Sequence, residues 1–253
     1  MGKNSTLIFS VFIFLFLYLC KINCQSLKEP TKIVELQTAG VNSKGTFSVE
    51  SWFFKSGGLR IELNFTPFSN FILGVSYGGT NLIGSSNATF QNLPGLLVKF
   101  RVVEEKINFP AFAVGISTQG FGPYYLQYHR FETLSPGIFF VGSKAFKNFL
   151  GICDLHLGLN YSLELKPKQR AINFYAGVGQ KISNFLRFSF EYNSNLDEKS
   201  SELMRSKGLL NTSLYVYLSP NVQIGLIFKD LLTNIKSQNS PERNLELIYS
   251  GSF

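Results

Sequence analysis

The chain has 253 residues, of which 16% are charged and 15% aromatic, whereas about 25% of the residues of an ordinary soluble domain are charged. The formal net charge is +8, but Lys and Arg are scattered, and no basic patch of the kind that binds nucleic acid is present. Two of the three cysteines, Cys20 and Cys24, lie in the N-terminal segment, so only Cys153 remains and a disulfide framework is excluded.

The N-terminal segment has the pattern of a secretory signal. Leu7–Leu19 is almost entirely apolar and is followed by the polar stretch Cys20–Gln25. A run of this length suits a signal peptide and is short for a helix that crosses a bilayer, which needs roughly 20 residues. We therefore predict a signal peptide over residues 1–24, a short leader over 25–44 and one domain over 45–253. Two alternatives stay open, an uncleaved anchor and a lipid attached to the cysteine that ends the signal.

From Thr46 onward, apolar residues alternate with small, polar or charged residues at the period of a β-strand. The predicted strands are Thr46–Phe54, Leu59–Thr66, Phe71–Tyr77, Leu96–Glu104, Phe109–Thr118, Gly137–Phe146, Gly151–Glu164, Ala171–Gln180, Phe185–Tyr192, Leu210–Leu218, Val222–Lys229 and Asn244–Phe253. No segment has the apolar spacing of three and four that an amphipathic helix needs. Gly137–Phe146 is apolar on both faces, so its orientation stays open.

The connections between these strands alternate in length. The tight ones are Pro67–Asn70, Glu105–Asn108, Lys147–Leu150, Lys181–Asn184 and Ser219–Asn221, and the long ones are Gly78–Gly95, Gln119–Pro136, Asn193–Lys207 and Asp230–Arg243. Outer-membrane barrels have short turns at one end and longer loops at the other. A sandwich with Greek-key connections has no reason to show this asymmetry. We therefore predict an all-β fold, a transmembrane antiparallel up-and-down β-barrel of about 12 strands, with 10 or 14 as alternatives.

The faces of the predicted strands also favour a membrane barrel over a secreted β-sandwich or soluble barrel. The polar faces hold Gly, Ser, Asn and Tyr with few charges, which suits a lumen of limited width. Aromatic residues near strand ends are typical of the girdles at the membrane interfaces. They are Trp52, Phe53, Tyr77, Phe109, Tyr124, Tyr125, Phe146, Tyr161, Tyr192 and Tyr249. Because Phe and Tyr also favour strands in soluble proteins, the soluble alternative stays open.

The last predicted strand ends in Phe253, with Tyr249, Leu247 and Leu245 in the same register. This pattern resembles the C-terminal signature by which bacterial outer-membrane proteins are handed to the barrel-assembly machinery. Gly251 stands where an aromatic residue often lies two places before the end. The resemblance implies that the four residues form an assembly signal, with outer-membrane lipid and the assembly machinery as partners.

The middle of the chain carries a second resemblance. FPAFAVGISTQGFGPYY (Phe109–Tyr125), SKAF (Ser143–Phe146) and GLNYSLE (Gly158–Glu164) resemble the YjbH-like outer-membrane barrel proteins. The likeness covers about Phe65–Tyr192, and its motifs lie on strands and one loop. It implies a barrel fold, and some members of that group accompany exopolysaccharide production or export.

Candidates for catalysis are few. His156 and Asp154 share the predicted inward face, but Cys153 lies on the other face, and two ligands do not make a metal site. The Ser–His pair of the outer-membrane phospholipase faces lipid, which an inward His156 does not fit. The acidic pairs of omptin proteases are not visible, although His129 lies near Glu132 in a long loop. We predict no enzyme, no cofactor and no metal, and keep a rim-site hydrolase as the least favoured alternative.

Charges on the polar faces are predicted to lie in the lumen. They are Arg60, Glu62, Lys99, Arg101, Lys144, Glu164, Arg187, Glu191, Lys229 and Glu246. Such charges are tolerated at membrane depth when they are paired or hydrated. Pairs across the lumen would close it, whereas a water-filled pore with excess Arg and Lys would favour anions. Glycines at Gly74, Gly158, Gly177, Gly179 and Gly225 are predicted to make room for larger lumen side chains.

These observations predict a bacterial outer-membrane barrel that is a narrow pore or an export-associated barrel. A polysaccharide or a small anionic solute is the expected cargo. The expectation of exopolysaccharide comes from the YjbH-like resemblance. No nucleic-acid partner is expected. The alternative is a structural or partner-binding barrel with a plugged lumen and functional outer loops.

Overall fold

The computed structural model describes residues 29–198 and 202–253, so the predicted signal peptide lies outside the described residues. The strands are β1 (Thr46–Phe54), β2 (Gly58–Thr66), β3 (Phe71–Thr80), β4 (Thr89–Phe90), β5 (Gly95–Val103), β6 (Ala111–Ser117), β7 (Phe121–Tyr125), β8 (Arg130–Thr133), β9 (Gly137–Asn148), β10 (Gly151–Tyr161), β11 (Asn173–Ile182), β12 (Leu186–Asn193), β13 (Leu209–Tyr217), β14 (Val222–Lys229) and β15 (Glu242–Ser252). Two short 3₁₀ helices, Pro167–Gln169 and Leu196–Glu198, lie in the connections. No helix in the described ranges is long and apolar enough to cross a bilayer.

Twelve of these strands form one closed antiparallel barrel. Each barrel strand pairs with its neighbour in the chain, and β1 pairs with β15 in a register that runs from Thr46↔Ser252 to Phe53↔Leu245. Closure leaves no unpaired edge strand, so the backbone of the wall is satisfied without water. The short β4 pairs with the end of β3, and β7 pairs with β8 in a separate two-stranded sheet that is not part of the wall.

The two ends of the barrel differ. One end, the short-turn end, holds the connections β2–β3, β5–β6, β9–β10, β11–β12 and β13–β14, together with the start of β1 and the end of β15. The other end, the long-loop end, holds the remaining connections, and the β6–β9 connection there contains β7 and β8. The loop asymmetry that the sequence predicts is therefore present in the structure.

The wall is apolar outside and polar inside, the reverse of a soluble domain. Along β2, Arg60, Glu62 and Asn64 are buried, whereas Ile61 and Phe65 are more than 40% exposed. Other apolar side chains that are exposed on the outer face include Leu73, Val75, Val98, Phe100, Val114, Phe140, Leu157, Phe174, Phe190, Leu226, Phe228 and Leu247. A continuous apolar exterior of this kind is the lipid-facing surface of a transmembrane barrel. The predicted twelve-stranded transmembrane barrel is confirmed.

Two strand assignments gain detail from the structure. In β9, Ile138 and Phe140 point outward, whereas Phe139 and Val141 are buried inside, which explains why this strand is apolar on both faces. Trp52 also lies inside the barrel, 2% exposed, and so does not belong to an interfacial girdle. The interior therefore contains apolar side chains that must be covered by another part of the chain.

Candidate functional site: a filled lumen

The leader supplies the partner for the apolar interior. Pro30–Val41, here called the lumen hairpin, lies inside the barrel, and residues Ile33–Val41 are all buried. Lys32 and Gln37 form an antiparallel bridge, and Ile33 N–H donates to Leu36 O at 2.8 Å, which makes a tight turn at the tip. Its first leg begins near the short-turn end, where Glu29 pairs with Arg101, and its second leg leads back to the start of β1.

Apolar contacts hold the lumen hairpin against the wall. Ile33, Val34, Leu36, Ala39 and Val41 share one buried cluster with inward wall residues. The wall members are Trp52, Ile72, Leu97, Ala111, Ala113, Phe139, Val141, Tyr175 and Ile227. A continuous apolar core therefore exists inside the barrel, and the leader completes it.

Gly177 on β11 makes the space that Ile33 fills. A β-carbon at this position would lie 2.6 Å from Ile33 Cδ1 and 2.7 Å from its Cγ2. The wall glycines at Gly158 and Gly225 likewise leave space for Tyr175 and Tyr215, respectively. At each of these positions, the missing β-carbon leaves the space that a larger interior side chain occupies.

Glu191 on β12 binds the tip of the lumen hairpin through its backbone. Glu191 Oε2 accepts the N–H groups of Val34 and Glu35 at 3.0 Å and that of Leu36 at 2.8 Å. One buried carboxylate oxygen thus satisfies three consecutive donors, which would otherwise be unpaired in a dry environment.

Three further wall side chains bond to the backbone of the two legs. Lys99 Nζ donates to Thr31 O at 2.9 Å and to Thr38 O at 3.4 Å. Tyr175 Oη donates to the carbonyl of Gln37 at 3.0 Å. Ala39 N–H donates to Ser143 Oγ at 2.9 Å. The wall therefore recognises main-chain groups on both legs.

Ion pairs fix the two charged side chains of the hairpin. Lys32 lies among three wall carboxylates, in contact with Glu50 and at 3.5 Å and 3.7 Å from Glu62 and Glu246. Glu35 at the tip lies 2.5 Å from Lys229 Nζ, near the long-loop end of β14. The hairpin thus reaches through most of the barrel.

A polar row on the wall supports Ser143. His156 Nδ1 lies 2.8 Å from Ser143 Oγ, and His156 Nε2 lies 2.5 Å from Asp154 Oδ1. Asp154 also accepts two bonds of 2.7 Å from Arg187. The three side chains follow one another in the order of a Ser–His–Asp triad. The alternation of residues along β10 predicts that His156 and Asp154 share a face, but it does not reveal Ser143, which lies on β9. With the lumen hairpin in place, the Ser143 oxygen accepts the hydrogen bond from Ala39 N–H.

The long-loop end is narrowed by a second insert. Residues Phe121–Ser135, here called the mouth hairpin, contain β7 and β8 and fold into the barrel mouth. Arg60 lies between the rings of Trp52 and Phe121, at 5.1 Å and 4.6 Å from their centroids. Lys229 Nζ lies 5.6 Å from the Phe121 centroid and also pairs with Glu35, so this wall residue contacts both inserts.

Buried carboxylates attach the mouth hairpin to neighbouring loops. Glu132 lies 2.6 Å from Lys55 Nζ, and Arg130 donates to Glu198 at 3.1 Å. Glu164 accepts the N–H of Phe131 at 2.9 Å, and burial raises the pKa of this carboxyl.

The open space lies at the short-turn end. Two cavities of about 450 Å³ and 560 Å³ flank the legs of the lumen hairpin and share Glu29, Pro30, Lys181, Asn184 and Arg187 as lining residues. Near the mouth hairpin a cavity of only about 10 Å³ is present. Solutes can therefore enter a vestibule at one end, and the two inserts block the way to the other.

The structure places the predicted lumen charges in three settings. Arg60, Glu62, Lys99, Arg187, Glu191, Lys229 and Glu246 are buried in the interior. Arg101 lies at the short-turn end and pairs with Glu29. Lys144 differs from the prediction, because it shares the outward register of β9 with Ile138 and Phe140, and it pairs with Glu105 at the short-turn end. Glu164 lies beyond the end of β10, in the loop region.

Further inward charges change the balance of the wall. Glu50, Asp154 and Glu242 are buried, and Lys181 lines both cavities. The inward strand positions thus carry six acidic side chains (Glu50, Glu62, Asp154, Glu191, Glu242 and Glu246) and seven basic ones (Arg60, Lys99, Arg101, Lys147, Lys181, Arg187 and Lys229). The wall of the described strands is therefore nearly balanced in charge, with one basic group more than acidic groups.

The remaining predicted residues lie on the surface or apart. Phe253, Tyr249, Leu247 and Leu245 are exposed on the outer face of the last strand and its end. His129 is exposed at the turn between β7 and β8, away from the buried His156 row. Within the described ranges, no group of three or more His, Cys, Asp or Glu is arranged to hold a metal ion.

Comparisons with known proteins add little. No family model and no curated protein matches the chain, so the YjbH-like resemblance stays a prediction. Among solved structures, the NanC porin is 8% identical with a TM-score of 0.44, over 82% of this chain and 99% of that chain. The outer membrane protein Omp33 of Acinetobacter baumannii is 8% identical with a TM-score of 0.45, over 83% and 99%. Likeness at this level carries no argument. The closed wall and its apolar exterior themselves identify a bacterial outer-membrane barrel.

Proposed function

We propose that the barrel is a gated conduit, closed by its lumen hairpin and opened when that hairpin withdraws toward the short-turn end. The observation that carries this proposal is the attachment of the hairpin. It bonds to the wall through side chains rather than a strand ladder, and it is continuous with the wall only at the start of β1. Withdrawal therefore breaks no backbone pairing of the barrel.

The emptied lumen would be wide enough to conduct. Eight-stranded barrels are filled by their own side chains, whereas barrels of 16–18 strands hold an aqueous channel. Twelve strands with a hairpin inside lie between these cases, so removal of the hairpin leaves space for water. The polar wall residues then exchange hairpin partners for water, which limits the cost of opening.

We expect charge to select the cargo less strongly than the sequence predicts, because the wall carries nearly equal numbers of inward acidic and basic groups. Selection of anions is therefore not part of this proposal. A role in polysaccharide export, implied by the YjbH-like resemblance, stays a prediction. Its test is uptake or release of an oligosaccharide by vesicles that contain the barrel with and without the lumen hairpin.

Conductance in planar bilayers tests the gate. We expect the full chain to remain closed most of the time and a variant that lacks residues 30–41 to conduct steadily. A β-carbon at Gly177 lies close to Ile33 Cγ2, so cysteines at the two positions fall within the about 3.5–4.5 Å that a disulfide spans. In a background without the native cysteines, Ile33→Cys/Gly177→Cys should be silent when oxidised and open intermittently when reduced. Equal, steady conductance of the full chain and the deletion variant would refute the proposal.

The Ser143–His156–Asp154 row favours a second candidate, hydrolysis of an ester. In that reaction the Ser143 oxygen would attack the carbonyl carbon while His156 takes the serine proton and then passes it to the leaving alcohol, after which water releases the acid. Ester turnover by the purified barrel should vanish in Ser143→Ala and persist in the matched lumen variant Ser189→Ala. Turnover that survives Ser143→Ala, or is absent from the unaltered chain, excludes this candidate.

A further inference from the structure

We infer that the lumen wall is a polypeptide-binding site, and that a peptide segment supplied by another chain can occupy it when the lumen hairpin is out. This inference rests on the proposed withdrawal of the hairpin. It names the class of ligand, a peptide with a turn and a Lys-x-x-Glu spacing, that the open state accepts.

The wall binds the hairpin largely by its backbone. Glu191, Lys99, Tyr175 and Ser143 are each buried and each bonds to main-chain N–H or C=O groups of the hairpin. Every peptide carries these groups at regular spacing, whereas small ions and sugars do not. An interior built only to conduct ions or sugars has no use for such an arrangement.

Charged side chains on the wall favour certain peptide sequences over others. The carboxylates of Glu50, Glu62 and Glu246 surround Lys32, and Lys229 meets Glu35 three residues later. A peptide bound in the same register must place a cation and then an anion at this spacing, because the reverse order would bring like charges together in a buried site.

Apolar wall residues provide the third feature. Ile72, Leu97, Phe139 and Val141 would face water in an empty lumen, although inward positions of a water-filled barrel are usually polar. The notch at Gly177 accepts one branched aliphatic side chain next to the cation. Burial of this patch favours a peptide with apolar residues, such as the Ile-Val pair of the hairpin, over a hydrated solute.

Tethering explains why the site is filled by the chain itself. A segment joined directly to β1 acts at a high effective concentration, which is of millimolar order for short linkers. A peptide from another chain therefore competes only when the hairpin has been withdrawn or removed. The deletion variant is the form in which binding can be measured.

The test adds a synthetic peptide with the sequence of Glu29–Val41 to the conducting barrel that lacks residues 30–41, from the short-turn side. We expect concentration-dependent block of the conductance. A matched peptide with the charges exchanged, Lys32→Glu and Glu35→Lys, should block at least tenfold more weakly. Maltooligosaccharides of similar mass should not block.

Each result separates the two proposals. A deletion variant that does not conduct overturns the gated conduit itself. A variant that conducts but is not blocked, or is blocked equally by the exchanged peptide or by the sugars, leaves the conduit standing and overturns the peptide site. A peptide that carries only Glu35→Lys should block the barrel weakly and should regain block in a barrel that carries Lys229→Glu, because position 32 keeps its cation. Failure to regain block would overturn the assigned register.

Discussion

The two inserts that fill the barrel are built differently. The mouth hairpin is continuous with the wall at both ends, through β6 and β9, and has its own strand pair. The lumen hairpin is continuous with the wall only through β1, and side chains alone bind it to the barrel. An insert continuous with the wall at both ends can shift but cannot leave, whereas we expect that an insert continuous with the wall at one end only can be withdrawn. The comparison identifies the lumen hairpin as the moving part.

The largest expected effect comes from removing the shared acceptor at the hairpin tip. Glu191→Ala leaves three buried N–H groups without a partner, at a cost of about 1–3 kcal/mol for each unpaired group. The open time in bilayer recordings should therefore rise at least a hundredfold. Glu191→Gln is the control, since its amide oxygen can still accept, and its effect should be much smaller. Unchanged gating in Glu191→Ala would contradict the role of this anchor.

A steric change at Gly177 should also loosen the lumen hairpin. Gly177→Val places branched carbons where Ile33 lies, and overpacking of this kind costs about 1–3 kcal/mol. We expect roughly tenfold more open time in the same recordings. The double variant Ile33→Ala/Gly177→Val restores the volume and should close again. Failure of this rescue would show that Gly177→Val acts on the wall.

Loosening the mouth hairpin should have little effect while the lumen hairpin is in place. Arg130→Ala removes the buried bonds to Glu198 and to the carbonyls of Phe131 and Glu132. The full chain should stay closed, but conductance of the variant that lacks residues 30–41 should rise a further two- to threefold. An opened full chain would mean that the mouth hairpin is the main gate.

The smallest expected effect is a pH dependence of the outer loops. Burial raises the pKa of Asp197 to about 6, and its Oδ2 accepts a 2.8 Å bond from Asn173. Because the unfolded carboxyl has a pKa near 3.9, the folded loop binds the proton more tightly and gains about 3 kcal/mol as pH falls from above 6 to below 4. Amide protection factors in this loop, in which the intrinsic pH dependence of exchange is divided out, should be higher at pH 5 than at pH 7.5. In Asp197→Asn the difference should vanish, and an unchanged difference would assign it to another group.

The barrel is largely readable from the sequence, because each wall strand repeats the same alternation and the loops alternate in length. Strand ends are less certain, as β10 shows by ending at Tyr161 rather than Glu164. The lumen hairpin is harder to foresee. Its apolar residues are few and follow no period, and its partners, such as Glu191 and Ser143, lie more than 100 residues away in the chain.

One trace of the filled lumen is present in the sequence. Apolar residues at inward positions, such as Phe139, Val141 and Trp52, have no place in a water-filled barrel and imply an interior partner. The Ser143–His156 contact is likewise a cross-strand pair, visible only when β9 and β10 are set in register.

The seam between β1 and β15 bears on how the molecule is made. The first and last strands meet, so the cylinder cannot be sealed until the final segment of the chain is in position. The lumen hairpin directly precedes β1. Its apolar side chains contact inward residues of β1 and of six other strands. The wall can thus curl around a centre that is present from the start, and a chain without that centre should assemble more slowly even though its finished cylinder is the same.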